Sequence, residues 1–154
     1  MAAYDVRLEP AASVPLAVVQ RQARPADLPR IIPECCGLVW NALRAQGVRG
    51  GRHVALYWEW DPSIRIEIGA EVSDPFVERD GLVRSATPAG TVAEVTHFGP
   101  YPQLRAAHDA LHTWCKAGGH RLAGPSWEVY GHWLPEWDTD PSRIRTDIFY
   151  LIAP

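Results

Sequence analysis

The run Trp127-Glu128-Val129-Tyr130-Gly131-His132-Trp133-Leu134-Pro135-Glu136-Trp137 sets a carboxylate among three tryptophans, a tyrosine and a histidine. Strand alternation puts Glu128, Tyr130 and His132 on one face and Trp127, Val129, Gly131 and Trp133 on the other. An earlier segment, "HVALYWEW", repeats the theme, with Ala55, Tyr57 and Glu59 on one face and Leu56, Trp58 and Trp60 opposite. Ring faces and a carboxylate together attract a flat cation, through the ring quadrupole and through charge. A carboxylate beside a phenol also suits the positioning of a water for proton abstraction. The pattern therefore nominates Tyr57, Trp58, Trp60, Trp127, Glu128, Tyr130, His132, Trp133 and Trp137 for a ligand site, with Tyr57 and Tyr130 flanking Glu128. Trp137 falls in a loop able to fold over the mouth. The competing reading makes Glu128 a surface residue on a half-buried strand. Trp40 and Trp114 fall in helical segments and read as core.

Other candidate chemistry is sparse. His108 and His112 have the i, i+4 spacing that can hold zinc on a helix, but "HDALH" lacks a glutamate directly after the first histidine and offers no third ligand. Packing or surface placement is the expectation for both, with no metal. His97 precedes Gly-Pro at a strand end and reads as a turn residue. Cys35, Cys36 and Cys115 form no Cys-x-x-Cys pair, so they read as small buried side chains in a reducing compartment. No nucleophile elbow, phosphate loop or dinucleotide fingerprint occurs, and no cofactor is expected.

The elements that must position these residues come next. The 154 residues fit one domain, and 47% hydrophobic with 21% charged is ordinary for a globular chain. A net charge of −3 argues against nucleic-acid binding. No apolar run is long enough to cross a membrane, and the N-terminus lacks the basic-then-apolar pattern of a signal peptide, so the cytoplasm is the expected location. "VPLAVVQ" reads as a strand. "LPRIIPECCGLVWNALRAQG" reads as a helix in which Pro33 limits where regular bonding begins and Gly47 marks the stop. "HVALYWEW" and the alternating "IRIEIGAEV" read as two further strands. The order then recurs: "GTVAEVTHF", a helix over "PYPQLRAAHDALHTWCKAGG" with Tyr101, Leu104, Leu111 and Cys115 on its apolar face, then "SWEVYGHW" and "RTDIFYLI". Gly47 answers Gly119 and Tyr57 answers Tyr130, an offset of 72–73 residues. The prediction is an α+β fold of two strand-helix-strand-strand units, about residues 12–75 and 88–153, with "FVERDGLVRSATPA" adding a short strand between them. A mostly antiparallel sheet would carry both helices on one face, curve open on the other, and form a ligand cleft between the copies.

The second unit resembles the gyrase-inhibitor-like (GyrI-like) small-molecule-binding domain, which also forms the effector-binding half of AraC-type and MerR-type regulators. The resemblance rests on Pro88-Ala89-Gly90, on His97-Phe98-Gly99-Pro100-Tyr101, on Gly124-Pro125 before "EVY", and on Arg145-Thr146-Asp147-Ile148. The first unit fits more loosely, and Leu151 stands where a proline commonly follows the last strand. The resemblance implies binding of lipophilic aromatic compounds, cations among them, with Glu128 at the position of an acidic ligand contact. Unlike those regulators, the sequence shows no attached helix-turn-helix region, so it reads as a free-standing module without direct nucleic-acid contact, with a homodimer or a regulator partner as the expected alternatives. The resemblance also implies an alternative, since free-standing relatives look like hydrolases that open cyclopropane rings of aromatic natural products. Glu128 and Tyr130 would then be the catalytic pair. A third implied reading, interaction with gyrase itself, finds no supporting patch in the sequence.

Overall fold

The computed structural model describes residues 4–154. Eight strands form one sheet in which every pairing is antiparallel. In chain order they are β1 (Arg7–Ala11), β2 (Pro15–Ala23), β3 (His53–Glu59), β4 (Ile64–Glu71), β5 (Val83–Ala86), β6 (Gly90–Phe98), β7 (Leu122–Tyr130) and β8 (Arg145–Ile152). Helix α1 (Leu28–Ala45) joins β2 to β3, and α2 (Leu104–Ala117) joins β6 to β7. Among the described residues, no helix is long and apolar enough to cross a membrane.

The sheet order β1-β6-β8-β7-β3-β4-β2-β5 contains the predicted duplication. Each unit contributes its strands in the same spatial order, and the units meet where β3 pairs with β7. Ala55 lies opposite Glu128 there, and these are also equivalent residues of the two units, so the pseudo-twofold passes between them. Gly47 and Gly119, one after each helix, have φ of +68° and +70°. Both occupy the left-handed conformation that ends a helix and that glycine adopts without penalty.

Periodicity explains the helix faces. Ile31, Cys35, Val39 and Leu43 form one buried stripe of α1, and Leu104, Ala107, Leu111 and Cys115 form that of α2. The first stripe packs on β2, β3 and β4, and the second on β6 and β8. Tyr130 touches both clusters at the seam. Helix α1 begins at Leu28, as the helical spacing predicts, and runs through Pro33. Pro33 lies in the second turn, where one missing N–H is tolerated because the buried stripe holds the helix to the sheet.

The opposite face of the sheet differs from the expectation of an open surface. Leu16, Val18, Val54, Leu56, Val92, Trp127 and Val129 form a third buried cluster there. The sheet bends around this cluster because of its connections. Only residues 12–14 join β1 to β2, and only residues 87–89 join β5 to β6, yet each joined pair lies at opposite ends of the strand order. Three linking residues span at most about 14 Å, so the two ends of the sheet must approach. The two crossovers are bonded to each other: the Thr87 N–H donates to the Val14 carbonyl at 3.0 Å, and the Val14 N–H donates to the Thr87 hydroxyl at 2.9 Å. β1 was absent from the sequence-based element list.

Candidate functional site

The cleft opens on the helix face, between α1 and α2, with β3 and β7 as its floor, and has a volume of about 1650 Å³. Glu128 projects from the floor beside the pseudo-twofold and is 5% exposed. Its counterpart is Ala55, so duplication places one charge on an otherwise paired frame. Burying a carboxylate costs several kcal/mol unless donors compensate. Two donors are present: the Tyr130 hydroxyl donates to Oε1 at 2.6 Å, and His108 Nε2 lies 2.7 Å from Oε2. His108 Nδ1 in turn lies 2.7 Å from the hydroxyl of buried Tyr150. An imidazole with its proton on Nε2 satisfies both contacts, accepting a hydrogen bond from the Tyr150 hydroxyl at Nδ1 and donating to Glu128.

This arrangement governs the nearby phenols. Burial, and after it the Glu128 charge, pushes the pKa values of Tyr57, Tyr130 and Tyr150 well above that of a free tyrosine. All three are neutral donors at physiological pH. Tyr57 supplies a wall, and of the two phenols expected to flank Glu128 only Tyr130 donates a hydrogen bond to it.

Of the other nominated residues, Trp60, His132 and Trp133 line the cleft with Tyr57, Glu128 and Tyr130. Trp60 stacks on Tyr57 with centroids 4.7 Å apart and planes 15° apart. Simple alternation would put these two rings on opposite faces. A bulge between Tyr57 and Glu59 breaks the register of β3 and turns Trp60 toward Tyr57. Likewise β7 ends at Tyr130, so alternation no longer governs His132 and Trp133. Trp60 and Trp133 stand 73 residues apart in sequence and are 49% and 51% exposed, one at each end of the cleft.

Three nominated tryptophans are not brought to the cleft surface. Trp58 points to the opposite face, where its indole N–H donates to Glu67 at 2.8 Å. Trp127 is buried on that face and stacks on Phe149 at 5.4 Å. Both placements follow from alternation with Tyr57 and Glu128. Trp137 does not fold over the mouth. It is buried behind Trp133, edge-on at 5.4 Å, and packs so closely on Gly131 that a Cβ there would lie 2.9 Å from its ring.

Sequence reasoning missed His108, Cys36, Trp40 and Tyr101, all of which line the cleft. His108 had a signal: with Leu104, Leu111 and Cys115 it completes the helical stripe, and a histidine on a buried stripe needs partners. Cys36 is its equivalent in α1, 72 residues earlier. Burial pushes the Cys36 thiol up to about 11, so it remains protonated at neutral pH. Trp40, expected in the core, is 51% exposed at the cleft edge. Tyr101 meets Tyr130 edge-on at 5.6 Å. His112 packs against Tyr150 at 4.9 Å, and Trp114, half-buried, stacks on His120 at 5.1 Å. His97 is buried rather than a turn residue, with Nδ1 2.9 Å from the Tyr4 hydroxyl. No cluster of three or more metal-ligating side chains occurs among the described residues.

Comparison with known proteins agrees with this architecture. A sequence profile of the GyrI-like small molecule binding domain matches residues 4–153. The EcmrR C-terminal domain superposes with a TM-score of 0.78 at 19% identity, covering 97% of this chain and 98% of that one. SAV2435, solved bound to tetraphenylphosphonium, superposes with a TM-score of 0.72 at 14% identity, covering 97% and 94%. A hydrolase encoded by lin2189 from Listeria innocua gives a TM-score of 0.60 at 10% identity, covering 96% and 91%. At these identities the likeness concerns the fold. No curated protein matches the chain significantly.

Proposed function

Because the chain belongs to the GyrI-like small-molecule-binding domain family, we propose that its cleft captures a lipophilic aromatic ligand whose basic group sits against Glu128. The observation that carries this reading is the buried Glu128 carboxylate, among the described residues the only acidic side chain lining the cavity. The Tyr57–Trp60 stack and Tyr130 flank it with ring faces and edges. A cation placed there gains from the carboxylate and the rings together, in surroundings that exclude much of the competing water.

Tetraphenylphosphonium, the ligand of one structural relative, is a suitable probe, followed by quenching of tryptophan fluorescence. Glu128→Gln keeps the shape and removes the charge. It should weaken the cation by about 1–3 kcal/mol, the scale of a lost charge-assisted interaction. Binding of neutral triphenylphosphine oxide should change far less. Equal affinity of wild type and variant for the cation would remove Glu128 from the site.

A second reading, hydrolysis of a cyclopropane-containing aromatic compound, is favoured by the hydrogen-bonded path Glu128–His108–Tyr150. Glu128 would accept a proton from water, oriented by Tyr130, as the water oxygen bonds to a cyclopropane carbon. The ring C–C bond would break, its electron pair passing into the conjugated aromatic system, which takes up a proton from solvent, while the imidazole holds the carboxylate in place. Release of ring-opened product by wild type but not by Glu128→Gln, with substrate still bound by both, is the outcome this reading requires.

A further inference from the structure

The two ends of the cleft differ in a way that the duplicated frame does not require. At the Tyr57 end the lining is Pro25, Leu28, Pro29, Ile32, Tyr57 and Trp60, without a charged side chain. The Tyr130 end carries Arg49, His53, Arg105 and His132. The register places these together: His53 pairs with Tyr130 across the β3–β7 junction, Arg49 lies in the segment entering β3, and Arg105 lies in the first turn of α2, just after Tyr101, whose ring meets Tyr130. Burial, and after it the neighbouring His132, lowers the pKa of His53, which leaves the two guanidiniums as the fixed charges of this end.

Neither guanidinium forms an ion pair among the described residues. Eight arginines of the chain pair with carboxylates; Arg49 and Arg105, like Arg21, Arg44, Arg79 and Arg121, do not, and what sets these two apart is that both line the cleft. The first turn of α2 holds no acidic residue beside Arg105. Against these two positive charges the lining sets only Glu128, itself already held by Tyr130 and His108. A ligand that is purely a cation would fill the apolar end and the centre, then meet like charge at the Tyr130 end.

Resting on the binding reading above, we infer that the cleft selects zwitterionic aromatic ligands: a flat apolar body against Tyr57 and Trp60, a basic group over Glu128, and a carboxylate or similar acid between Arg49 and Arg105. A planar carboxylate suits the fork of a guanidinium, which donates two parallel hydrogen bonds. Both arginines are exposed, so the acid adds a moderate, salt-sensitive preference rather than the bulk of the affinity.

Rhodamine 110 and rhodamine 123 separate these contributions. They share one cationic ring system and differ only in that the benzoate of the first is a methyl ester in the second. Wild type should bind the acid about fivefold more tightly than the ester at low salt, with the ratio shrinking at high salt. In Arg49→Gln/Arg105→Gln the ratio should fall to about one, with an unchanged melting curve confirming the fold. Glu128→Gln should weaken both dyes and leave the ratio in place. An ester bound as tightly as the acid by wild type, or a preference that survives in the double variant, overturns the inference and leaves the cation-binding reading standing. Failure of both dyes to bind removes both readings.

Discussion

Glu128 takes its character from two side chains that arrive from different elements, Tyr130 from its own strand and His108 from α2. Tyr130 was legible, because residues i and i+2 of a strand share a face. His108 was not, because its partner lies 20 residues away in sequence and no local pattern records that separation. The imidazole has a structural duty besides any ligand, since it is the acceptor of buried Tyr150. In His108→Ala the Tyr150 hydroxyl loses its partner inside the protein and Glu128 loses a donor. The expected cost is about 1–3 kcal/mol in urea unfolding. A loss within a few tenths of a kcal/mol would mean that the path from Glu128 to Tyr150 is not held in solution.

Elements account for the tryptophans. Five of the seven tryptophans were nominated for the cleft, but strand pleat sends two of them to the other face. Trp58 and Trp127 serve the closed face, while Trp60 and Trp133 reach the cleft only because a bulge and a strand end interrupt the alternation. Strand β1 brings a different liability. It docks on β6 with Arg7 opposite Glu94, and Glu9 lies near the same carboxylate. Burial first, then the hydrogen bond and charge of Glu9, raise the Glu94 carboxyl to about 7, with Asp147 adding to the effect and Arg7 opposing it. A carboxyl whose pKa is raised by folding stabilises the native state while protonated, below its unfolded value of about 4.3. That contribution is lost as pH climbs through the folded value. Glu94→Gln should therefore raise the melting temperature at pH 8 and change it little at pH 4.5. The opposite order, or no difference at pH 8, would contradict the raised value.

At the scale of the whole molecule, the two units are joined by reciprocal exchange as well as by the central β3–β7 pairing. β1 precedes the first unit yet pairs with β6 of the second, and β5 precedes the second yet pairs with β2 of the first. The crossovers meet at Val14 and Thr87, where the Thr87 side chain, 5% exposed, accepts the Val14 N–H. Thr87→Val keeps the volume and strands that N–H, so a loss of about 1–3 kcal/mol is expected in a denaturant melt. The same change at an exposed threonine whose hydroxyl bonds nothing among the described residues, such as Thr113, should be nearly neutral. Element order, the duplication and the carboxylate at the centre were legible in the sequence, because period-2 and period-3.6 patterns, the Gly stops and the 73-residue echo of Tyr57 in Tyr130 are local or repeated properties of the chain. The filling of the far face, the partners of Glu128 and the two charged ends of the cleft were decided by tertiary structure. Short crossovers force the sheet to bend, and bending determines which face closes. The docking of α2 on the sheet then brings His108 and Arg105, and the segment after α1 brings Arg49, beside residues far from them in sequence. Such placements depend on how whole elements meet, and no residue's neighbours in the chain encode them singly.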